Sequence, residues 1–253
     1  MIWFASYPRS GSNFLRIILH EVYGVDSSSY YTAPDTLPGY TDKPVIKTHH
    51  RPCELIPSDP SIPAIYLIRD GRDSIVSLAH HKKDFYVEGS DFLDNMTDAI
   101  IASRNTYFGG WSRNVREWLE RDPLVLRFEE LIKDPIGCVE RLRSIMDLPE
   151  PNMEKLLTFK DLKTRNFEFG NWWTDSLARQ NIDKFFRRGI VGSWRDEMPE
   201  DLHRLFWELH GGMMEALDYG EGTRPEPLKK HDKLEIYTKA YLRMAKRFVG
   251  RYV

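Results

Sequence analysis

The sequence predicts an α/β fold with a central parallel sheet flanked by helices, and two similar units carry that expectation. Each reads as strand, tight loop, helix: residues 2–6 pass through 7–13 into a helix, and residues 64–68 pass through 69–73 into another. Strands joined by helical crossovers lie parallel, and their C-terminal ends share the edge at which open α/β sheets bind ligands. The third observation is size. With 253 residues, 41% of them hydrophobic and 13% aromatic, the chain can bury the core of one domain, taken as residues 1–253 with a basic amphipathic helix over 228–253.

The first helix follows from Leu15, Ile18, Leu19 and Val22 at helical spacing, with Arg16, His20 and Glu21 between them. Its start carries unpaired N–H groups and the positive end of the helix dipole, and Arg9, Ser10, Gly11, Ser12 and Asn13 surround it, which suits an anion such as phosphate. Residues 27–42, rich in Ser, Tyr, Thr and Pro, read as an irregular surface segment. A short strand over 44–50 follows, on which Lys47 and His49 share one face and His50 takes the other. Adjacent imidazoles on opposite faces are poor joint ligands, so no metal site is expected.

In the second unit the helix is marked by Ile75, Val76, Leu78 and Ala79, and Arg69 and Arg72 either serve an anion or pair with Asp70 and Asp73 as surface ion pairs. Between 80 and 108, Asp84, Glu88, Asp91, Asp94 and Asp98 accumulate on a helical or lid-like segment, as a solvated acidic face or beside a pocket. A helix over 111–119, a strand over 124–128 and a helix ending near 148–149 come next. Residues 185–195 form a basic loop with Arg187, Arg188, Gly189 and Gly192, which suits a phosphate clamp. A core helix is expected over 202–217, a polar break over 220–227, and a basic helix over 229–253 with Leu234, Tyr237, Tyr241, Met244 and Phe248 on one face.

The 36 basic and 38 acidic residues leave a net charge of −2, which argues against nucleic acid as a partner and makes any anion site a local cluster. Only Cys53 and Cys138 are present and no basic-apolar-small leader opens the chain, so reduced thiols and a cytoplasmic location are expected. No apolar run approaches a membrane span, and membrane contact by the C-terminal helix is not expected.

The order Tyr7-Pro8-Arg9-Ser10-Gly11-Ser12 lacks the first glycine and the Lys-Ser/Thr pair of a nucleotide P-loop. It resembles instead the phosphosulfate loop of sulfotransferases, of the cytosolic small-molecule type, that use 3′-phosphoadenosine 5′-phosphosulfate (PAPS). Lys47-Thr48-His49 is similar to that family's Lys-Thr-His, Arg69 with Ser77 to its 3′-phosphate pair, and residues 185–195 to its Arg-Lys-Gly-x-x-Gly-Asp-Trp-Lys loop. The succession over 111–135 and the Leu157-Thr158-Phe159-Lys160 segment match further stretches. The resemblance implies a P-loop-like fold and sulfuryl transfer from PAPS, leaving PAP, to a hydroxyl or less readily an amine of a small molecule, without metal. It assigns catalysis to His49 as base with Arg9 and Lys47. Cofactor binding falls to Arg9, Ser10, Gly11, Ser12, Asn13, Phe14, Arg69, Ser77, Phe159, Arg187, Arg188 and Gly189.

The chain departs from the family at Arg9 for Lys, Phe14 for Trp, Phe128 for Tyr, Leu157 for a hydroxyl residue and Ser193 for Asp. Residues 198–200 do not reproduce the family's dimer motif, so oligomerisation by that route is not expected. The family's acceptor pocket borders the acidic segment, which suggests a cationic or polyhydroxylated acceptor. Two other readings are an ATP-dependent P-loop phosphotransferase and a non-enzymatic polyanion- or membrane-binding module.

Overall fold

In chain order the principal elements are β1 (Ile2–Ser6), α1 (Ser12–Tyr23), β2 (Ser27–Tyr30), β3 (Val45–Thr48), β4 (Ala64–Ile68), α2 (Gly71–His81), α3 (Phe92–Ile101), α4 (Trp111–Leu119), β5 (Leu124–Arg127), α5 (Pro135–Glu140), α6 (Glu200–Ala216) and α7 (Lys230–Val249). They come from a computed structural model that describes residues 1–30, 42–102, 106–158, 161–164, 182–220 and 222–249. The chain forms two compact units, Met1–Arg69 with Arg113–Val191, and Asp70–Ser112 with Gly192–Val253.

The first unit contains a five-stranded, wholly parallel sheet in the order β2-β3-β1-β4-β5. All five residues of β1 and all five of β4 are buried, as expected of strands covered on both faces, and their near-continuous apolar runs supply the reason. The register pairs Ala5 with Thr48, Ser6 with Leu67 and Ile68 with Arg127. The C-terminal ends of β1, β3, β4 and β5 therefore meet along one edge, and residues 7–11, His49, Arg69 and Phe128 emerge there.

Helix α1 buries the predicted Leu15, Ile18, Leu19 and Val22, and also Phe14, Arg16, Ile17 and Tyr23. Arg16 was expected between apolar positions and is instead 2% exposed. It donates from Nε to Ser27 Oγ at 2.8 Å, from Nη1 to Ser29 Oγ at 3.0 Å and from Nη2 to the Ser27 carbonyl at 3.1 Å. Those bonds explain a second difference: residues 27–30, expected to be irregular, form the edge strand β2. Three successive serines offer no apolar alternation to read, and their hydroxyls are what a buried guanidinium needs. Residues 31–41 lie outside the described part. The predicted strand over 124–128 ends one residue early because Phe128 opens a helical turn, Phe128–Leu131. The helix after Pro135 stops at Glu140 and tightens into a 3₁₀ turn, Arg141–Ser144, short of the expected end near 148.

The second unit packs α2, α3, α6 and α7. Gly71 lets helix α2 start hard against Trp111 and Phe206, since a Cβ there would lie 2.6 Å from the indole and 2.8 Å from the phenyl ring. Arg72 pairs with Asp70 as one alternative proposed, but the pair is buried, at 2.7 Å, rather than on the surface. The acidic segment resolves into the end of α2, a π-helical turn Lys82–Tyr86, and α3. Its carboxylates are not all solvated: Asp98 is 6% exposed with Lys82 at 3.4 Å, and Arg243 reaches Asp94 at 2.8 Å and Asp98 at 3.6 Å. Helix α7 buries Ala240 and leaves Leu234 and Tyr241, two of the five residues expected on its apolar face, 69% and 61% exposed, while the side chains of Met244 and Phe248 lie outside the described part. Lys233 pairs with Glu208 and Arg243 with Asp94 on either side of Ala240 in the sequence.

Candidate active site

The opening loop bends through two left-handed residues, Arg9 at φ 68° and Gly11 at φ 93°. Glycine is required at the second for a further reason, because a Cβ would collide with the Phe128 ring. Gly11 is also the N-cap of α1, so the backbone at the helix start is held without a capping side chain. Ser10 and Ser12 are buried, while Gly11 and Asn13 keep part of their surface in solvent. Phe14 is 3% exposed in the first turn of the helix.

Two arginines tie this loop to the basic loop. Arg9 donates from Nη2 to the Phe185 carbonyl at 2.5 Å and lies over the Phe185 ring at 4.4 Å. Arg69, 7% exposed at the end of β4, donates to the Arg9 carbonyl at 2.9 Å and to the Ile190 carbonyl at 3.3 Å, with its guanidinium 4.2 Å over Phe128. Phe128, where the resembling family has tyrosine, thus packs against Gly11 and Arg69 together. In the basic loop Gly189 has φ 62°, Arg187 is half-buried with its carbonyl accepting from Lys163 Nζ at 3.1 Å, and Arg188 is exposed.

Lys47 and His49 share one face as predicted, with Lys47 Nζ 3.0 Å from His49 Nε2. His49 Nδ1 is 2.7 Å from the Ser6 carbonyl, which can only accept, so Nδ1 carries the hydrogen and Nε2 presents its lone pair. Burial, and next the Lys47 charge, hold the His49 pKa well below the usual imidazole value. Burial, then the Arg16 and Arg9 cations, hold Lys47 well below the usual amine value. Asn114 steadies the strand end: fully buried, it accepts from Tyr66 Oη at 2.7 Å and donates to the His49 carbonyl at 3.1 Å, while Trp118 Nε1 donates to the His50 carbonyl at 3.0 Å. His50, on the other side, stacks edge-on to Tyr30 and lies 3.6 Å from Glu54.

Within the first unit, then, Arg9, Gly11, Lys47, His49, Arg69 and the loop of Arg187 and Gly189 are joined through one sheet edge. Ser77, part-exposed on α2, belongs to the second unit, and Phe159 lies outside the described residues. Among the described residues no group of three or more His, Cys, Asp or Glu could hold a metal ion.

The family model described as a sulfotransferase domain matches residues 20–217. The chain belongs to that family. Sulfotransferase 1A1 of Bos taurus is 25% identical over 238 residues, covering 81% of this chain and 80% of its own. The 3-beta-hydroxysteroid sulfotransferase of Cavia porcellus is 27% identical over 186 residues, 67% of this chain and 64% of its own. Among solved structures, mouse sulfotransferase SULT7A1 complexed with PAP superposes with a TM-score of 0.63 at 21% identity, over 87% of this chain and 86% of that one. Retinol dehydratase in complex with androsterone and inactive cofactor PAP gives 0.59 at 19% identity, over 85% and 80%.

The fold is thus the P-loop-like sulfotransferase fold, with its central parallel sheet flanked by helices, and this sulfotransferase is an enzyme of the class its loops resembled. The family match begins at residue 20 and so does not include the opening loop, whose assignment rests on its own residues. Three residues of this sulfotransferase are buried in places the sequence did not suggest: Arg16, expected between the apolar positions of its helix, Asn114, to which no role was given, and Asp73, expected in a surface ion pair. An arginine among apolar positions followed by a serine run was the available signal for the first. Tertiary contacts alone reveal the other two.

Proposed function

We propose that the sulfotransferase moves the sulfuryl group of PAPS to a hydroxyl of a small-molecule acceptor, with His49 as general base. The observation that carries the reading is the His49 tautomer: the Nδ1 hydrogen is committed to the Ser6 carbonyl, and a basic Nε2 stands beside Lys47 at the sheet edge. PAPS would supply an activated sulfuryl group and depart as PAP. The residues present fit it chemically, since Arg9, Arg16 and Lys47 crowd like charge and an anion relieves that repulsion. Arg69, Ser77, Arg187, Arg188 and Gly189 would hold the 3′-phosphate, the 7–13 loop the 5′-phosphosulfate, and Phe14 and Phe159 the adenine.

In this reading His49 Nε2 would take the proton of the acceptor hydroxyl as that oxygen attacks the sulfuryl group that PAPS would supply, with PAP as the leaving group. Arg9 would leave Phe185 to neutralise the departing oxygen, assisted by Lys47 and the N–H groups at the start of α1. Donors preorganised for charge that grows in the transition state are each worth about 100- to 1000-fold. Residues 1–253 act as one catalytic domain here. The acceptor is a small molecule. A cationic preference loses support because Asp94 and Asp98 already face Arg243 and Lys82.

Labelled PAPS offered with phenols, aliphatic alcohols, steroids and amines, in the presence of EDTA, tests the reading. Transfer to a hydroxyl acceptor that persists without divalent metal, and that His49→Ala abolishes while PAP still binds, is the expected result. Transfer from ATP instead, or full turnover by His49→Ala, rejects it.

A further inference from the structure

Helix α2 carries, one turn before Ser77, a buried carboxylate that the sulfuryl-transfer chemistry does not use. Asp73 is 1% exposed. Its Oδ2 accepts from the Gly192 N–H at 2.7 Å, and its Oδ1 accepts from the Trp194 N–H at 2.9 Å and from Ser193 Oγ at 3.2 Å. A buried carboxylate is costly unless hydrogen-bonded, and three donors from one short stretch satisfy this one. The stretch begins where the basic loop ends: Gly192, at φ 79°, follows Arg187, Arg188 and Gly189 by three to five residues.

The residue before Asp73 grips the same stretch from its side chain. Arg72 lies 4.1 Å over the Trp194 ring and is itself fixed by Asp70 at 2.7 Å, the Thr223 hydroxyl at 2.8 Å and the Tyr219 carbonyl at 3.1 Å. Trp194 packs in turn against His203 of α6, with ring centroids 4.6 Å apart and the rings tilted by 40°. Asp73 therefore holds backbone and Arg72 holds ring, so both position and orientation of residues 192–194 are set from the first turn of α2.

We infer that Asp73 is a positioning residue for nucleotide recognition: it fixes residues 192–194, into which the Arg187-Arg188-Gly189 loop runs directly, so that the end of the loop is held in place for the 3′-phosphate. The inference rests on the PAPS reading above and deepens it. Preorganisation predicts a selective defect. Losing the anchor lets the loop sample other conformations, and only a ligand that calls on the loop bears that cost. Ser193, where the resembling family has Asp, supplies a hydroxyl donor to Asp73, so in this chain the anchor is made without a second carboxylate beside it.

The test is calorimetric binding of PAP and of AMP to the full chain, for the unaltered protein and for Asp73→Asn, Asp73→Glu and Ser193→Ala. The unaltered protein is expected to prefer PAP, and a protein that binds both equally overturns the PAPS reading and this inference with it. Given that preference, Asp73→Asn is expected to weaken PAP about 10- to 100-fold and AMP less than 3-fold, with partial recovery in Asp73→Glu. Ser193→Ala, which removes one donor and leaves the carboxylate, is expected to weaken PAP about 3-fold and keeps the test available if the Asp73 variants do not fold. Equal losses for PAP and AMP, or PAP affinity unchanged in Asp73→Asn or in Ser193→Ala, overturn the inference while leaving the PAPS reading intact.

Discussion

At the scale of single residues, the proposed base His49 is paired with Lys47, whose Nζ lies 3.0 Å from its Nε2. Burial and the neighbouring cation both disfavour imidazolium, so His49 stays neutral, and able to accept a proton, at pH values below the ordinary imidazole range. The acid limb of the kcat profile should accordingly lie well below pH 6.5. Lys47→Met removes the cation, makes protonation easier and moves that limb to higher pH, alongside a fall in kcat. An acid limb that stays in place in Lys47→Met shows that His49 does not govern it. Arg9 raises a different question. Its guanidinium sits on Phe185, so the lysine of the resembling family and arginine here differ in more than charge: the planar group can stack on a ring and reach a carbonyl together.

At the scale of elements, α6 contributes a pH-sensitive share of stability. His210 is 6% exposed, with Nε2 donating to the Ile100 carbonyl at 3.0 Å and Nδ1 2.8 Å from Ser112 Oγ. Burial lowers its pKa to about 4. The unfolded chain binds a proton near the ordinary value of about 6.5, so between that pH and about 4 it holds more protons than the folded chain and stability falls as pH falls. From pH 7 to pH 5 the loss attributable to His210 is about 2 kcal/mol. His210→Gln, which keeps a donor for Ile100, should shrink the urea-measured difference between those pH values by about that amount. An unchanged difference assigns the acid sensitivity to other groups such as His203, also lowered to about 4 by burial.

The elements also show what a sequence can reveal. β1, β4 and α1 were legible because apolar runs and helical spacing are local signals, and the loops that follow were legible because they carry cations beside glycine. β2 was not, since its reason for existing is a guanidinium from another element. In α7, Leu234 and Tyr241 mark an apolar face on paper and stay exposed, whereas Ala240 is buried in a helix that also pairs Lys233 with Glu208 and Arg243 with Asp94. Lys47 and His49 could be placed on one face by strand alternation. The Ser6 carbonyl that fixes the His49 tautomer could not, because that bond depends on strand order.

At the scale of the whole molecule, ligand linkage separates the three readings of function. A ligand that binds only the folded chain stabilises it by about 2.7 kcal/mol at a hundredfold excess over its dissociation constant. For a domain of this size each kcal/mol raises Tm by roughly 2–4 °C, so saturating PAP should raise it by about 5–10 °C. The comparison among ligands carries the information. AMP lacks the 3′-phosphate and should shift Tm far less at equal concentration, and ATP with magnesium should not exceed AMP. A polyanion-binding module would respond to phosphate density instead, with heparin-like polymers as effective as PAP and the shift lost at about 0.5 M salt, where exposed ion pairing is screened beyond a few ångströms. A PAP shift that survives that salt, as expected of phosphate groups held by enclosed arginines such as Arg69, favours the sulfotransferase site. An ATP–magnesium shift larger than that of PAP overturns it in favour of phosphoryl transfer.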